Sequence, residues 1–168
     1  TEGWKVSGLN IRLSDILLGC DALINMPVLK SHMIAGVSFA LKNHYGSFEN
    51  PAMLHGHIGR TMAELNALEP IKDRTRLIIG DMLTACLSYG NSYPYWESDW
   101  TGDSILMSFD PVAHDTVGLE MLSKLKTDND LNPASDISRA TPCLESGAEL
   151  GLGTNDPDHI EVVEVMLG

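Results

Sequence analysis

The 168-residue chain, at 18.3 kDa and 43% hydrophobic, has the size and composition of one globular domain, which excludes disordered, collagen-like and coiled-coil classes. Its formal net charge of -12 repels nucleic-acid phosphates and anionic membrane surfaces, so no nucleic-acid partner is expected. No apolar run approaches the roughly 18 residues of a membrane span, which predicts a soluble chain, with cytoplasmic and exported locations both open.

In chain order, Ser14 is placed to cap a short helix through Leu18 that Gly19 stops. Ala22 to Val28 is short and almost wholly apolar, which predicts a buried strand ending at Pro27 and a polar turn from Lys30 to His32. From Met33 to His44, Ile34, Val37, Ala40 and Leu41 recur at helical spacing, predicting a helix before Gly46. A second helix is predicted over 57–68, with Ile58, Met62, Leu65 and Leu68 as its apolar stripe and Pro70 as its end.

Two further strands are expected at Arg76 to Gly80 and Ser104 to Phe109, each ending in an aspartate, Asp81 and Asp110. Asp110 followed by Pro111 is a strong helix start, and the helix should run to about Lys126. Another helix is expected from Ile137 to about Glu149, across Pro142, and a Val-rich strand from Ile160 to Leu167. Between Tyr89 and Trp100 lie half of the ten aromatic residues, interrupted by Gly90, Asn91 and Pro94; this reads as a long ordered loop, either a lid or contact surface or a segment pinned to its own domain. Alternation of strands and helices gives a single α/β domain over 1–168 with a mostly parallel or mixed sheet flanked by helices. The opening at Thr1 rather than a methionine predicts a missing N-terminal portion of a longer chain.

Cys20, Cys86 and Cys143 are far apart, so no four-cysteine iron-sulfur cluster forms within this chain and no disulfide framework is implied. Charge is more informative. From Ala22 to Ala63 the only acid is Glu49, where an even spread predicts about six. The same stretch holds Lys30, His32, Lys42, His44, His55, His57 and Arg60, four of the six histidines among them. Either a cationic pocket is focused there, or the tract lacks acids because it is buried.

Ligands of α/β sheets bind beyond the carboxyl ends of the strands, which would gather Lys30, His32, Asp81 and Asp110. For Asp110 a plain helix cap competes with a ligand role. On the expected 33–44 helix, Ser38 and Lys42 share a face with Asn43 alongside. Two close ammonium groups disfavour each other's charge, which poises one lysine for acid-base work or lets both clamp a carboxylate or phosphate, while His32 would move a proton. His55 and His57, two apart, would point the same way in an extended segment and hold a divalent metal, with Asp81 as oxygen donor. The alternative is that Lys30 to Gly46 forms a buried polar network that fixes a turn.

The string from Asp21 to Gly46, with Asn25, Pro27, Lys30, His32, Gly36, Lys42, Asn43 and Gly46, resembles the family called domain of unknown function 362. Asp81, the Asp110, Pro111, Ala113 and Asp115 cluster, and Gly147, Gly151, Leu152 and Gly153 agree with it. With the strand-end and helix-face residues already named, the expected ligand-binding set is Ser38, Asn43, Asp81, Asp110 and Asp115; the resemblance itself implies an iron-sulfur or redox protein as partner, since some members are joined to iron-sulfur modules. A fainter pattern, His32, Gly36, Ser38, Lys42, Gly46 and a histidine about fifteen residues on, is similar to the lactate racemase family. That similarity implies His32 as base, Lys42 as anchor of a nickel pincer nucleotide and His55 or His57 as metal ligand, although Phe39 and Ala40 stand where that family has two glycines. Two functions are therefore expected: binding of a small anionic metabolite or metal-bearing cofactor, with proton-transfer or redox-linked chemistry at Lys30, His32 and Lys42; or a noncatalytic module for an iron-sulfur partner, touching it through the aromatic loop.

Overall fold

The computed structural model describes residues 3–88 and 100–166. It begins with a tight hairpin of β1 (Trp4–Val6) and β2 (Leu9–Ile11), whose two turn residues, Ser7 and Gly8, both have positive φ, the turn that matches strand twist. Helix α1 (Asp15–Leu18) follows as expected, with the Ser14 hydroxyl accepting from the Ile16 N–H and Gly19 closing it.

The main sheet is mixed. Strand β6 (Thr75–Cys86) is its spine, with β7 (Trp100–Ser108) antiparallel to it, and β3 (Leu23–Asn25) and β4 (Val28–His32) parallel to it. Ile78 faces both Asn25 and Ser108, and Asp81 faces both Val28 and Ile105, so β3 and β4 run along one edge of β6 and β7 along the other. The Pro27 carbonyl accepts from the Asp81 N–H, so β3 and β4 are one strand line broken at Met26 and Pro27. Strand β5 (Gly36–Ser38) returns antiparallel to β4.

Several expectations need correction. The 22–28 strand is neither unbroken nor wholly buried, because its alternate residues Ile24 and Val28 lie on a sheet face that the helices do not cover. Leu77, Ile79, Ile105 and Met107 share that face by register. Lys30 to His32 is strand, not turn. Met33 to His44 is a hairpin turn, β5 and a four-residue helix α2 (Ala40–Asn43), not one helix. Gly36 breaks it: its φ is +78°, and a Cβ there would collide with the Asp136 carbonyl and the Ala140 backbone. Ser38 and Lys42 consequently share no helix face. Pro70 starts rather than ends a helix, α4 (Glu69–Lys72), after α3 (Ile58–Asn66) has stopped. Strand β6 continues past Asp81, and Ile160 to Met166 forms no strand.

Two long helices behave as predicted. Helix α5 (Pro111–Asp128) starts at Asp110, and α6 (Ala134–Glu149) passes through Pro142, whose Cβ lies 3.1 Å from where a Cβ would stand on Gly59 of α3. Helix α5 packs on the inner sheet face, towards which Ile78 and Met82 are buried, while α6 packs on β5 and α3 packs on α6. Phe39, 1% exposed, wedges between Gly80 and Gly118 and against the His114 ring, at 4.2 Å between centroids; a Cβ on either glycine would strike it. Ser31, Lys126 and Asp136 form a buried network behind the β4–β5 hairpin. Lys126 pairs with Asp136, donates to the Ser31 hydroxyl at 3.1 Å, and that hydroxyl donates to Asp136 at 2.6 Å.

Candidate functional site

Lys30, His32, Lys42 and His55 come together at the β4–β5 hairpin. Lys30 sits directly across from Ser38 on β5 and from Cys86 on β6. Burial pushes the Lys30 pKa down, and the Cys86 side chain partly opposes this. His32 ends β4, and its Nδ1 accepts from the backbone N–H groups of Ile34 and Ala35, both at 3.2 Å. Two donors on Nδ1 put the ring hydrogen on Nε2. Burial, then the charges of Lys42, His55 and Lys30, push the imidazole down to about 4. At neutral pH His32 is therefore an uncharged imidazole with its hydrogen on Nε2.

Lys42 is half-buried on α2 and is pushed down to about 8, first by burial and then by the Lys30 charge. Its Nζ lies 4.5 Å from the centre of the Tyr45 ring, a cation–π contact. The edge of the same ring meets His55 at 5.3 Å between centroids. His55 Nδ1 donates to the Pro51 carbonyl at 2.8 Å. Tyr45 is itself fixed by donating to the Leu54 carbonyl and by a 2.6 Å hydrogen bond with Thr61. No carboxylate pairs with Lys42 among the described residues.

Helix α2 is too short to hold itself, and buried side chains hold it instead. Asp115, 2% exposed, takes the Ala40 N–H on one oxygen at 2.7 Å and the Leu41 N–H on the other at 2.9 Å. Asn25 donates to the Ala40 carbonyl, Asn66 to the Leu41 carbonyl, and Asn43 to Asn25 Oδ1. Lys42 is thus presented from a platform clamped on both sides.

This clamp reassigns several residues expected at the site. Asp115 and Asn43 position α2. Asp110 caps α5 through the Val112 and Ala113 N–H groups and also takes the Thr154 N–H, so its cap role holds. It lies at the far end of the sheet: Ser108, two residues before it, faces Ile78, whereas Lys30 faces Cys86. Asp81 lies within β6 and accepts from the Leu83 N–H. The strand ends therefore do not bring Asp110 beside Lys30, and Asp81 stands across from Val28.

His55 and His57 occupy a 3-10 turn, Pro51–His57, where residues two apart point in different directions. Among the described residues no group of three or more His, Cys, Asp or Glu side chains comes together to hold a metal ion. Phe39 and Ala40, which stand where the lactate racemase family has two glycines, are buried in the core. His44, which carried no role in the sequence, is buried with Nδ1 3.1 Å from the Ser47 hydroxyl, and its Nε2 has no partner among the described residues. Burial pushes it down to about 4.

Tyr45, Asn66 and the clamping role of Asp115 were missed. Asn66 carried one signal, a polar residue at a buried position of an otherwise apolar helix face; Tyr45 carried none. The 89–99 part of the aromatic loop lies outside the described residues, as do Thr1, Glu2, Leu167 and Gly168. Among the described residues no helix is long and apolar enough to cross a membrane. No curated protein and no solved structure matches the chain. A family described as a domain of unknown function matches residues 5–120, a span that carries α2, its clamp and the whole lysine–histidine cluster, and on that match the chain belongs to the DUF362 family.

Proposed function

We propose that this protein binds a small anionic metabolite, a carboxylate or a phosphate, at Lys30, His32, Lys42 and His55, and that Lys42 exchanges a proton with it. The observation that carries this reading is an amine lowered to about 8, half-buried beside a second amine and without a carboxylate partner among the described residues. Burying such a group costs free energy that a bound anion offsets. Near neutral pH Lys42 exists partly as the free amine, which accepts a proton from the ligand and returns it. Lys30 adds charge, and the His32 Nε2–H donates to a developing oxyanion without surrendering its hydrogen, because Nδ1 is already occupied.

Calorimetry with inorganic phosphate and with malonate tests this. At pH 8, near the value of Lys42, binding should take up a fraction of a proton, seen as a heat that changes with the ionisation enthalpy of the buffer. Lys42→Met should abolish that uptake and weaken binding about tenfold or more. Binding of equal strength in Lys42→Met and Lys30→Met, or binding without proton uptake, would overturn the proposal.

A further inference from the structure

A second cavity, of about 190 Å³, opens on the other side of α2, at the end of the sheet where β6 begins. Asn25, Asn66, Ile71, Lys72, Phe109 and Leu152 line it. Its volume is about six waters' share of the liquid, enough for a single-ring molecule. Three observations indicate what it takes. Asn66 is 4% exposed and spends both side-chain hydrogens on carbonyls, of Leu41 at 2.7 Å and Met62 at 2.8 Å. Its amide orientation is thereby fixed, and Oδ1 receives no hydrogen bond among the described residues. Lys72, exposed at the rim, makes no ion pair among them. The Phe109 side chain is 84% exposed, an unusual position for a phenyl ring, and with Ile71 and Leu152 it supplies apolar wall.

We infer that this cavity is a second ligand site, which takes a small planar anion carrying an N–H donor. The N–H meets Asn66 Oδ1, the anionic group meets the Lys72 ammonium at the mouth, and the ring lies against Phe109. An acceptor buried without a donor costs more than one that is satisfied, so an N–H ligand is preferred over a purely apolar one of the same shape. The site does not depend on the reading of Lys42, from which Asn25 and Asn66 separate it.

Orotate, a flat ring with N–H groups and a carboxylate, is the probe, compared with uracil, which lacks the charge, and benzoate, which lacks the N–H. Nitrogen-resolved NMR of the purified protein should show the Asn66 side-chain amide shifting on titration with orotate, with uracil and benzoate each about tenfold weaker. Lys72→Ala, on an exposed side chain, should weaken orotate about tenfold and leave uracil unchanged. Leu152→Trp, which fills the cavity, should abolish the Asn66 shift. An Asn66 amide that orotate does not move, equal binding of the three probes, or shifts that persist in a Leu152→Trp protein whose own amide spectrum is dispersed and folded would each overturn the inference.

Discussion

Two lysines, Lys42 and Lys126, are withdrawn from water on neighbouring elements and meet opposite fates. Lys126, 7% exposed, is enclosed with a carboxylate and a hydroxyl, so its charge is balanced inside the protein. Lys42 is given an aromatic face and a second amine, and its pKa falls to about 8. The first arrangement joins β4, α5 and α6, and nothing about it invites a ligand. The second leaves charge without a carboxylate partner among the described residues on a rigid support, which is the arrangement the proposed anion site uses. An amine's burial alone does not distinguish the two roles; its partners do.

The comparison breaks most visibly at Lys126. Lys126→Met leaves Asp136, 2% exposed, without its ion-pair partner, and should cost about 3–5 kcal/mol in urea unfolding. Asp115→Ala comes next. It orphans the Ala40 and Leu41 N–H groups and should cost about 2–4 kcal/mol, with loss of phosphate binding in the same protein. Lys42→Met should do the reverse, removing binding while stability holds or rises by about 1 kcal/mol, less than the full shift implies because the amine is only half-buried. The folded value of Lys42, about 8, is below its ordinary 10.5, so the unfolded chain holds more protons between them. Wild-type stability should therefore climb from pH 8 to 10.5 by this group's share, and Lys42→Met should lack that climb.

The histidines sharpen the acid side. His32 and His44 are both held near 4 against an ordinary 6.5, so the unfolded chain binds more protons in that window and stability should fall as pH drops from 6.5 to 4. His44→Leu removes one of the two contributions without breaking a satisfied bond at Nε2. It should flatten the fall while changing stability at pH 7 by about 1 kcal/mol or less.

The sequence made the acid-poor stretch visible, and with it Lys30, His32, Lys42 and His55, because charge composition survives folding unchanged. Helix ends with local chemistry were legible too: Ser14 before α1, and Asp110 with Pro111 before α5. The 33–44 region was misread because Val37 of the hairpin and Ala40 and Leu41 of the short helix α2 happen to fall at helical spacing, while the Gly36 conformation is dictated by α6, a hundred residues away. The α2 clamp was invisible for the same reason. Nothing near Ala40 announces that its N–H belongs to Asp115. The expected meeting of strand ends failed because β7 runs antiparallel, which carries Asp110 to the opposite end of β6.

The bonds from Asp115 to Ala40 and Leu41 also set when this region acquires its shape. Leu41 and Asp115 are 74 positions apart, so a chain emerging amino end first carries Lys42 long before the carboxylate that will orient it. Closing so long a loop is entropically costly, and it is rewarded only once α5 docks. The Lys42 amine should therefore become ordered late, together with the core, and the Ala40 and Leu41 amide hydrogens should exchange with solvent at nearly the rate of the most protected strands.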